Sequence, residues 1–353
     1  MNNNEIALFL RLDFLDTTPL RCNMEQQEAL YYKKLKDHRV RCLLCPHQCG
    51  IPDEETGKCG VRENRGGRLL THSYGRTVTI NVDPIEKKPL YHFMPGSMIL
   101  SIGPNGCTFS CQNCQNWNIS QEPAQTTYIG PDELVAMAAR GGSIGVAFTY
   151  TEPLLWFEYL KDVAPMLRKS GLKSVLVTNG FLNDEPAREL APLIDGFNVD
   201  LKSIRDDFYR TWCDGRVEPV KRFIEIASSV SHVEVTNLII PGLNDSPGDL
   251  GDLVEWLSGV SREIPIHFSR FFPQYRMNDR PPTPQKTLEM AYETAKKKLD
   301  YVYLGNIFVE GTEDTYCPEC GAVVVRRAGY TTEMIEPAGI CQQCKTRIKG
   351  VWA

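Results

Sequence analysis

Residues 98–114 of the chain read MILSIGPNGCTFSCQNC, in which a short apolar run leads through a glycine-containing turn into three cysteines. The run at Met98–Ile102 has the length and composition of a buried β-strand. Cys107, Cys111 and Cys114 follow this strand within one tight loop. A closed structural zinc site needs four ligands, whereas three thiolates on a four-iron cluster leave one iron free to bind another molecule. The loop therefore predicts an iron–sulfur site with an open iron.

A structural zinc site is the alternative for this loop. It would need a fourth ligand from elsewhere in the chain, such as Cys213 or a histidine. Closed zinc sites usually pair two nearby knuckles of two cysteines each, and this loop has a single group of three. The spacing therefore favours the iron–sulfur interpretation.

Short apolar runs alternate with amphipathic segments from Met98 onward, which indicates repeated βα units around a parallel sheet. Six or seven such units suit an α/β fold of the partial (β/α)6 barrel type, related to the TIM barrel. The predicted strands are Met98–Ile102, Gly145–Thr149, Ser174–Thr178, Gly196–Leu201, His232–Ile240, Ile264–Phe268 and Tyr301–Leu304, and the clearest predicted helices are Pro131–Arg140, Leu154–Lys169 and Ser246–Leu257.

Polar residues fall where several of these strands end, which is where barrels of this kind carry their reactive groups. Glu152 follows the second strand, Asn179 follows the third, and Asp200 and Lys202 lie at the end of the fourth. Each has a simpler interpretation as well. Asn179-Gly180 is a common turn pair, and Asp200 with Lys202 could form a solvated ion pair.

Two further cysteine groups flank the predicted barrel. The first has four thiols within a loop-rich segment and can close a zinc or an iron–sulfur site by itself. The second consists of two two-cysteine knuckles with the spacing of a zinc ribbon, for which a rubredoxin-like iron is the alternative. The first group is Cys42, Cys45, Cys49 and Cys59, and the second is Cys317, Cys320, Cys341 and Cys344.

These groups divide the 353 residues into three parts. Residues 1–97 form an amino-terminal extension with a four-cysteine knuckle, residues 98–310 form the barrel, and residues 311–353 form a ribbon-like tail. We expect the tail to fold independently around zinc, because metal binding can supply the folding free energy of so small a unit.

The composition narrows the class of protein. Hydrophobic residues make up 42% and charged residues 24% of the chain, which is ordinary for a globular protein. Its 13 cysteines fall into short-spaced groups, so they indicate metal binding in a reducing, cytoplasmic compartment. The net charge of -5 gives no broad attraction to nucleic acid or anionic membrane. The early apolar run Ile6–Leu10 is too short to span a membrane, and Met24 is a candidate start of translation.

The Cys-x3-Cys-x2-Cys spacing after a strand resembles that of the radical S-adenosylmethionine (SAM) superfamily. The flanking residues Gly103–Gly106 and Gln115–Ser120 are similar to the activase branch that includes pyruvate formate-lyase activating enzyme. From about Met24 to its end, the chain resembles more narrowly the radical SAM enzyme of the AmmeMemoRadiSam system. That likeness rests on CLLCPHQC at 42–49, TYTEP at 149–153 and GVW at 350–352.

This resemblance implies a cofactor set and a role for each site residue. It implies that a 4Fe-4S cluster binds SAM at its open iron, that an electron donor such as flavodoxin or ferredoxin reduces it, and that the setting is anaerobic. The implied cluster ligands are Cys107, Cys111 and Cys114, the implied contact to the SAM amino group is Glu152, and the implied SAM-pocket residues are Asn179, Asp200 and Lys202.

Three functions follow as hypotheses. The first is a radical SAM enzyme acting on a small molecule, or on an intermediate delivered by partner proteins of the same system. The second is an activase that installs a glycyl radical on a partner enzyme. The third is a scaffold in which every cysteine group holds zinc. We favour the small molecule, because the cysteine modules on both sides of the activase-like core are expected to narrow the barrel mouth or to dock a partner.

Overall fold

The computed structural model describes residues 27–336 and 338–352, so the apolar run Ile6–Leu10 and the candidate start Met24 lie outside the described residues. The strands in chain order are β1 Tyr32–Lys34, β2 Val40–Cys42, β3 Gly50–Ile51, β4 Arg62–Arg65, β5 Arg68–Thr71, β6 Arg76–Thr77, β7 Thr79–Pro84, β8 Met98–Gly103, β9 Thr127–Tyr128, β10 Gly145–Phe148, β11 Lys173–Thr178, β12 Gly196–Asp200, β13 His232–Ile239, β14 Ile266–Arg270, β15 Val302–Gly305, β16 Thr315–Tyr316, β17 Val323–Ala328 and β18 Thr331–Met334. The helices of seven or more described residues are α1 Pro131–Arg140, α2 Phe157–Lys169, α3 Asp184–Leu190, α4 Val217–Ser228, α5 Pro247–Val260 and α6 Gln285–Lys296.

A mixed sheet of eight strands forms the centre of the molecule, in the order β15-β14-β13-β12-β11-β10-β8-β7. All neighbours are parallel except β7, which pairs antiparallel with β8. Helices α1 to α6 connect the seven parallel strands, which gives six βα units followed by a seventh strand. The predicted alternation is thus confirmed, and each predicted strand lies within two residues of an observed one. The edge strand β7 was not predicted, and it comes from the segment assigned to the amino-terminal extension.

Neighbouring residues on each strand face opposite sides of the sheet. Leu100 and Val146 pack in the main core with the helices. Ile99 and Ala147 instead pack with Phe93 in a separate inner cluster. Phe93 precedes β8 and Ile99 is its second residue, so this inner cluster lies toward the amino-terminal end of the sheet.

The described part of the amino-terminal extension, residues 27–97, is called the amino-terminal module below. A buried ion pair joins this module to the barrel. Arg62 of β4 donates two hydrogen bonds, of 2.6 and 2.9 Å, to the carboxylate of Glu158 in α2. Both side chains are buried. The backbone N–H of Leu30 donates to the same carboxylate at 2.7 Å. Removing one partner of a buried pair is strongly destabilising, so this contact fixes the module on the barrel.

The tail packs on the amino-terminal end of the central sheet. Its strands β16, β17 and β18 form a small antiparallel sheet. Val325 and Cys341 share a core with Tyr91 and Tyr303 of the barrel, and Val351 forms a β-bridge with the segment before β8. Residues outside the tail thus contribute to its core, and the expectation that the tail folds by itself around zinc stays a prediction, which a zinc titration of the isolated tail tests. The tail also lies opposite the carboxyl ends of the strands, so it does not narrow the barrel mouth.

A buried polar network lies beneath the tail. The fully buried Glu234 of β13 accepts hydrogen bonds from the ring nitrogens of His232 at 2.9 Å and His267 at 2.6 Å. Burial opposes ionisation, but these two bonds lower the pKa of Glu234 well below its usual value. The Nε2 atom of His92 forms a 2.5 Å hydrogen bond with the hydroxyl of Tyr303, and its Nδ1 atom forms a 2.6 Å hydrogen bond with the carbonyl of Lys349. The network thus joins the barrel to the tail.

No helix of the described chain is both long enough and apolar enough to cross a membrane.

Candidate active site

The loop with the three cysteines, residues 104–114, leaves β8 at the carboxyl edge of the sheet. A Cβ atom at Gly103 would lie 2.2 Å from the carbonyl oxygen of Thr149, so only glycine lets β8 end this close to β10. Cys107, Cys111 and Cys114 are each partly buried beyond this point. The structure therefore places all three predicted thiols at the edge where barrels of this type carry their reactive groups.

Backbone hydrogen bonds hold the cysteine loop in place from the opposite side. The N–H of Ser110 donates to the carbonyl of Cys213 at 2.9 Å, and the N–H of Gln112 donates to the carbonyl of Trp212 at 3.0 Å. Both acceptors lie in the helical turn Tyr209–Cys213, which precedes α4. This turn therefore fixes the path of the loop between its first and third cysteines.

Glu152 lies fully buried behind the cysteine loop. Its carboxylate accepts hydrogen bonds from the hydroxyl of Thr178 at 2.6 Å and from the backbone N–H of Asn179 at 2.9 Å and Leu154 at 3.0 Å. Burial raises the pKa of this carboxyl to about 7. The carboxylate thus fixes the turn after β11, a role that the sequence did not reveal. Its contact with the SAM amino group stays a prediction.

Asn179 connects that turn to the cysteine loop. Its side-chain amide donates a 3.0 Å hydrogen bond to the hydroxyl of Thr108 and lies 3.6 Å from the sulfur of Cys107. Its side-chain oxygen accepts from the N–H of Phe181 at 2.9 Å. Asn179 is therefore more than a turn residue, because its amide lies against a predicted cluster ligand.

Asp200 and Lys202 form an ion pair of 2.8 Å at the end of β12. Burial would lower the pKa of Lys202, but Asp200 and the thiols of Cys111 and Cys213 raise it well above its usual value. Only 20% of the Lys202 side chain is exposed. Lys202 is therefore mostly buried, whereas 38% of the Asp200 side chain is exposed, and the role of this pair in a SAM pocket stays a prediction.

Two residues that the sequence left outside the site contact the same loop. The carbonyl of Cys213 accepts the hydrogen bond from the N–H of Ser110. The Nε2 atom of His47, in the amino-terminal module, lies 2.7 Å from the carbonyl oxygen of Thr108. Neither contact has a local sequence signal, because each joins segments far apart in the chain. Cys213 had been considered only as the fourth ligand of the alternative zinc site.

The four cysteines of the tail converge tightly. Their sulfur atoms all lie within 4.8 Å of one another. Among the described residues, no other three or more ligand atoms of His, Cys, Asp or Glu form such a group. Four thiolates at about 2.3 Å from one zinc ion lie about 3.8 Å apart. The tail cysteines Cys317, Cys320, Cys341 and Cys344 therefore fit a single metal ion.

The loop of Cys107, Cys111 and Cys114 fits a four-iron cluster better than a single ion. Within the described chain these thiols, with or without Cys213, do not converge to the spacing found in the tail. In a four-iron cluster each thiolate binds a different iron, so the sulfur atoms stand farther apart. The buried side-chain oxygen of Asn113 makes no hydrogen bond to any described atom. Because buried polar atoms are normally paired, this oxygen fits a polar ligand bound beside the loop.

The chain is similar to several known proteins. The family model of the Radical SAM superfamily matches residues 101–257. An uncharacterised protein of Methanocaldococcus jannaschii is 41% identical over 325 residues, which cover 90% of this chain and 97% of that protein. Pyruvate formate-lyase 1-activating enzyme of Escherichia coli is 24% identical over 205 residues, which cover 52% of this chain and 82% of that enzyme. A solved domain of pyruvate formate-lyase-activating enzyme from Bacteroides vulgatus is 20% identical with a TM-score of 0.41, covering 46% of this chain and 99% of that domain.

Proposed function

Because the chain belongs to the radical SAM superfamily, we propose that it cleaves SAM reductively and uses the resulting 5′-deoxyadenosyl radical to abstract a hydrogen atom from a substrate. The observation that carries this proposal is the position of Cys107, Cys111 and Cys114 at the carboxyl edge of the sheet. When bound there, a 4Fe-4S cluster would supply an open iron for the SAM amino and carboxylate groups and the electron that breaks the carbon–sulfur bond.

The surrounding side chains suit the binding of a cationic cofactor. Glu152 is buried with a pKa of about 7, so an ammonium group beside it would favour the ionised carboxylate. Asn179 supports Cys107 through its amide. Asp200, partnered by Lys202, offers a second partly exposed carboxylate at the same edge. We assign these four residues to the SAM pocket.

We propose a small molecule, or an intermediate delivered by partner proteins of an AmmeMemoRadiSam-type system, as the substrate. The amino-terminal module supports this choice, because His47 contacts the cysteine loop directly and Arg216 donates a 2.9 Å hydrogen bond to the carbonyl of Pro46. A protein loop that delivers a glycine would need open space beside these thiols. The tail lies at the other end of the sheet and contributes nothing to this argument.

Glycyl-radical activation is the second candidate. The likeness to pyruvate formate-lyase 1-activating enzyme, which covers 82% of that enzyme, favours it. In either case the single electron would come from a reductant of the flavodoxin or ferredoxin class. We further propose zinc in the tail, and zinc or an iron–sulfur cluster on the knuckle cysteines Cys42, Cys45, Cys49 and Cys59.

Anaerobic reconstitution with iron and sulfide, followed by addition of reductant and SAM, tests the proposed reaction. We expect release of 5′-deoxyadenosine and methionine, measured by liquid chromatography, and loss of both products in Cys111→Ala. The matched control Cys320→Ala removes a thiol from the tail and is expected to retain cleavage. Undiminished cleavage in Cys111→Ala would contradict the assignment, and zinc without iron or sulfide would support the scaffold.

Electron paramagnetic resonance separates the two substrate classes. Reconstituted enzyme is incubated with SAM and candidate glycyl radical proteins, and the spectrum is inspected for the glycyl doublet. A stoichiometric doublet on any partner would favour the activase. For a small-molecule enzyme we expect no doublet.

A further inference from the structure

The knuckle cysteines are spaced unlike those of the tail. In the tail, two sulfur pairs lie 3.4 and 3.5 Å apart, and all four sulfurs lie within 4.8 Å. Among the described residues, no three sulfurs of the knuckle meet that limit. Thiolates on one zinc ion would lie about 3.8 Å apart, so the knuckle is too open for a single ion. The knuckle thiols are Cys42, Cys45, Cys49 and Cys59.

These four cysteines nevertheless lie close together in the fold. Cys42, Cys45 and Cys49 lie against the same hydrophobic core, and the N–H of Gly60, the residue after Cys59, donates to the carbonyl of Gly57 at 2.9 Å. The N–H of Cys42 donates to the carbonyl of Cys49 at 3.0 Å, and a Cβ atom on Gly57 would lie 3.7 Å from the sulfur of Cys49. The four cysteines are thus neighbours, and, like the cysteine loop of the active site, they do not form a group at the spacing found in the tail. Such a set of thiols fits a four-iron cluster with one thiolate on each iron.

The knuckle also touches the active-site loop through its backbone. Gly106 has a φ of +98°, and a Cβ atom there would lie 2.8 Å from the carbonyl oxygen of Cys59. A knuckle ligand therefore lies against the residue that precedes Cys107. On the other side of Cys107, the carbonyl of Thr108 accepts the 2.7 Å hydrogen bond from His47, which lies between the second and third knuckle cysteines. Two contacts thus join the two sets of thiols.

We propose that the knuckle binds a second 4Fe-4S cluster, ligated by Cys42, Cys45, Cys49 and Cys59, which relays single electrons to the active-site cluster. The site itself goes beyond the proposed function, and its relay role rests on that function. A reductant of the flavodoxin class donates one electron to the knuckle cluster, which then passes it on. No bond forms or breaks and no proton moves. Because every iron has a thiolate, this cluster does not bind SAM.

Removal of the active-site cluster isolates the second one. The full chain carrying Cys107→Ala, Cys111→Ala and Cys114→Ala is reconstituted anaerobically with iron, sulfide and zinc. We expect about four irons and four sulfides per chain, and on reduction an electron paramagnetic resonance signal that SAM leaves unchanged. Zinc in the knuckle in place of iron would overturn the proposal, as would a chain without iron. This result does not depend on SAM cleavage, so it stands or fails separately from the proposed function.

The complementary variant Cys42→Ala/Cys45→Ala is expected to lose the SAM-insensitive signal and to keep a signal that SAM shifts. That remaining signal also shows that the variant is folded, and the isosteric Cys45→Ser replaces it if folding fails. Cys320→Ala is the matched control, with both iron signals retained. If the knuckle variants keep both iron signals, the assignment of the ligands is overturned.

The relay role has its own readout. SAM cleavage by the folded knuckle variant is driven in parallel by reduced flavodoxin and by dithionite, a small reductant that needs no docking surface. We expect the ratio of the flavodoxin-driven rate to the dithionite-driven rate to fall relative to the unmodified chain. An unchanged ratio would overturn the relay and leave the knuckle cluster a structural one.

Discussion

The carboxylate of Glu152 combines two demands at a single residue. It holds the turn after β11 through Thr178 and Asn179. It also lies beside the thiol of Cys107, and burial together with this carboxylate raises the pKa of that thiol. A side chain placed in this way can support both the loop and a cation bound beside it.

Glu152→Gln removes the negative charge at nearly unchanged shape. Its amide oxygen can still accept from the Thr178 hydroxyl and the Leu154 N–H, whereas its NH2 group cannot accept from the N–H of Asn179. A hydrogen bond to a charged group contributes about 1.5–3 kcal/mol, so we expect SAM affinity to fall about ten- to hundredfold. Anaerobic titration calorimetry measures the affinity, and the iron content serves as the control, since it should not change. Equal affinity in the two proteins would show that SAM does not contact this carboxylate.

His92 predicts a specific pH dependence of stability. Burial lowers the pKa of its imidazole to about 3, against an unfolded value of about 6.5. Between these values the unfolded chain binds a proton that the native chain does not, so the contribution of His92 to stability is lost progressively as pH falls below about 6.5. Glu234, His232 and Arg327 also act on this ring.

Urea unfolding of wild type and His92→Asn at several pH values between 7 and 4 checks this expectation. The variant is less stable at pH 7, because it loses the bond to Tyr303. We expect the stability gap between the two proteins to narrow toward pH 4. A gap that is constant or widens would mean that His92 is protonated in the native state.

At the scale of elements, the tail and the barrel share a hydrophobic core. Cys317 and Cys341 are buried together with Tyr91 and Tyr303, so we expect loss of the metal proposed for the tail to loosen the amino-terminal end of the central sheet as well. We expect Cys341→Ala to lower the thermal midpoint of the whole chain by about 5 °C or more. Circular dichroism follows the transition, and iron content is the control. A separate early transition confined to the tail would contradict this coupling.

The elements that the sequence predicted share one property. The parallel strands are buried on both faces and read as short continuous apolar runs, as Gly145–Phe148 does. The edge strand β7 was missed because Ile80 and Val82, its apolar residues, are exposed and alternate with polar ones. It also ends in Pro84, which argues against a central strand.

The same distinction holds for the site. The placement of Cys107, Cys111 and Cys114 in one loop at the carboxyl edge of the sheet could be predicted, because their spacing is local and the loop follows a clear strand. Their role as cluster ligands stays a prediction. Cys213 and His47 reach the loop only through tertiary packing, so one sequence contains no sign of either contact. The knuckle thiols were likewise found by spacing, whereas their contact with the active-site loop could be seen only in the structure.

At the scale of the whole molecule, the pair Arg62–Glu158 joins the amino-terminal module to the barrel. Glu158→Leu leaves a buried guanidinium without its partner, so we expect a loss of about 3–5 kcal/mol in the free energy of unfolding. The double variant Arg62→Leu/Glu158→Leu removes both charges, and we expect it to be more stable than the single variant. Urea unfolding of the three proteins measures both differences. A double variant less stable than Glu158→Leu would contradict this interpretation.

The bridge between Val351 and Phe93 has a consequence for how the chain folds during its synthesis. The N–H of Val351 donates to the carbonyl of His92, and the N–H of Met94 donates to the carbonyl of Val351, both at 2.7 Å. A ribosome therefore completes all of the barrel strands well before it makes the residue that covers their amino-terminal end. Until then, the apolar cluster of Phe93, Ile99 and Ala147 lacks the cover of Val351 on the nascent chain. Such an apolar surface is prone to aggregation, so we expect this protein to need chaperone protection late in translation.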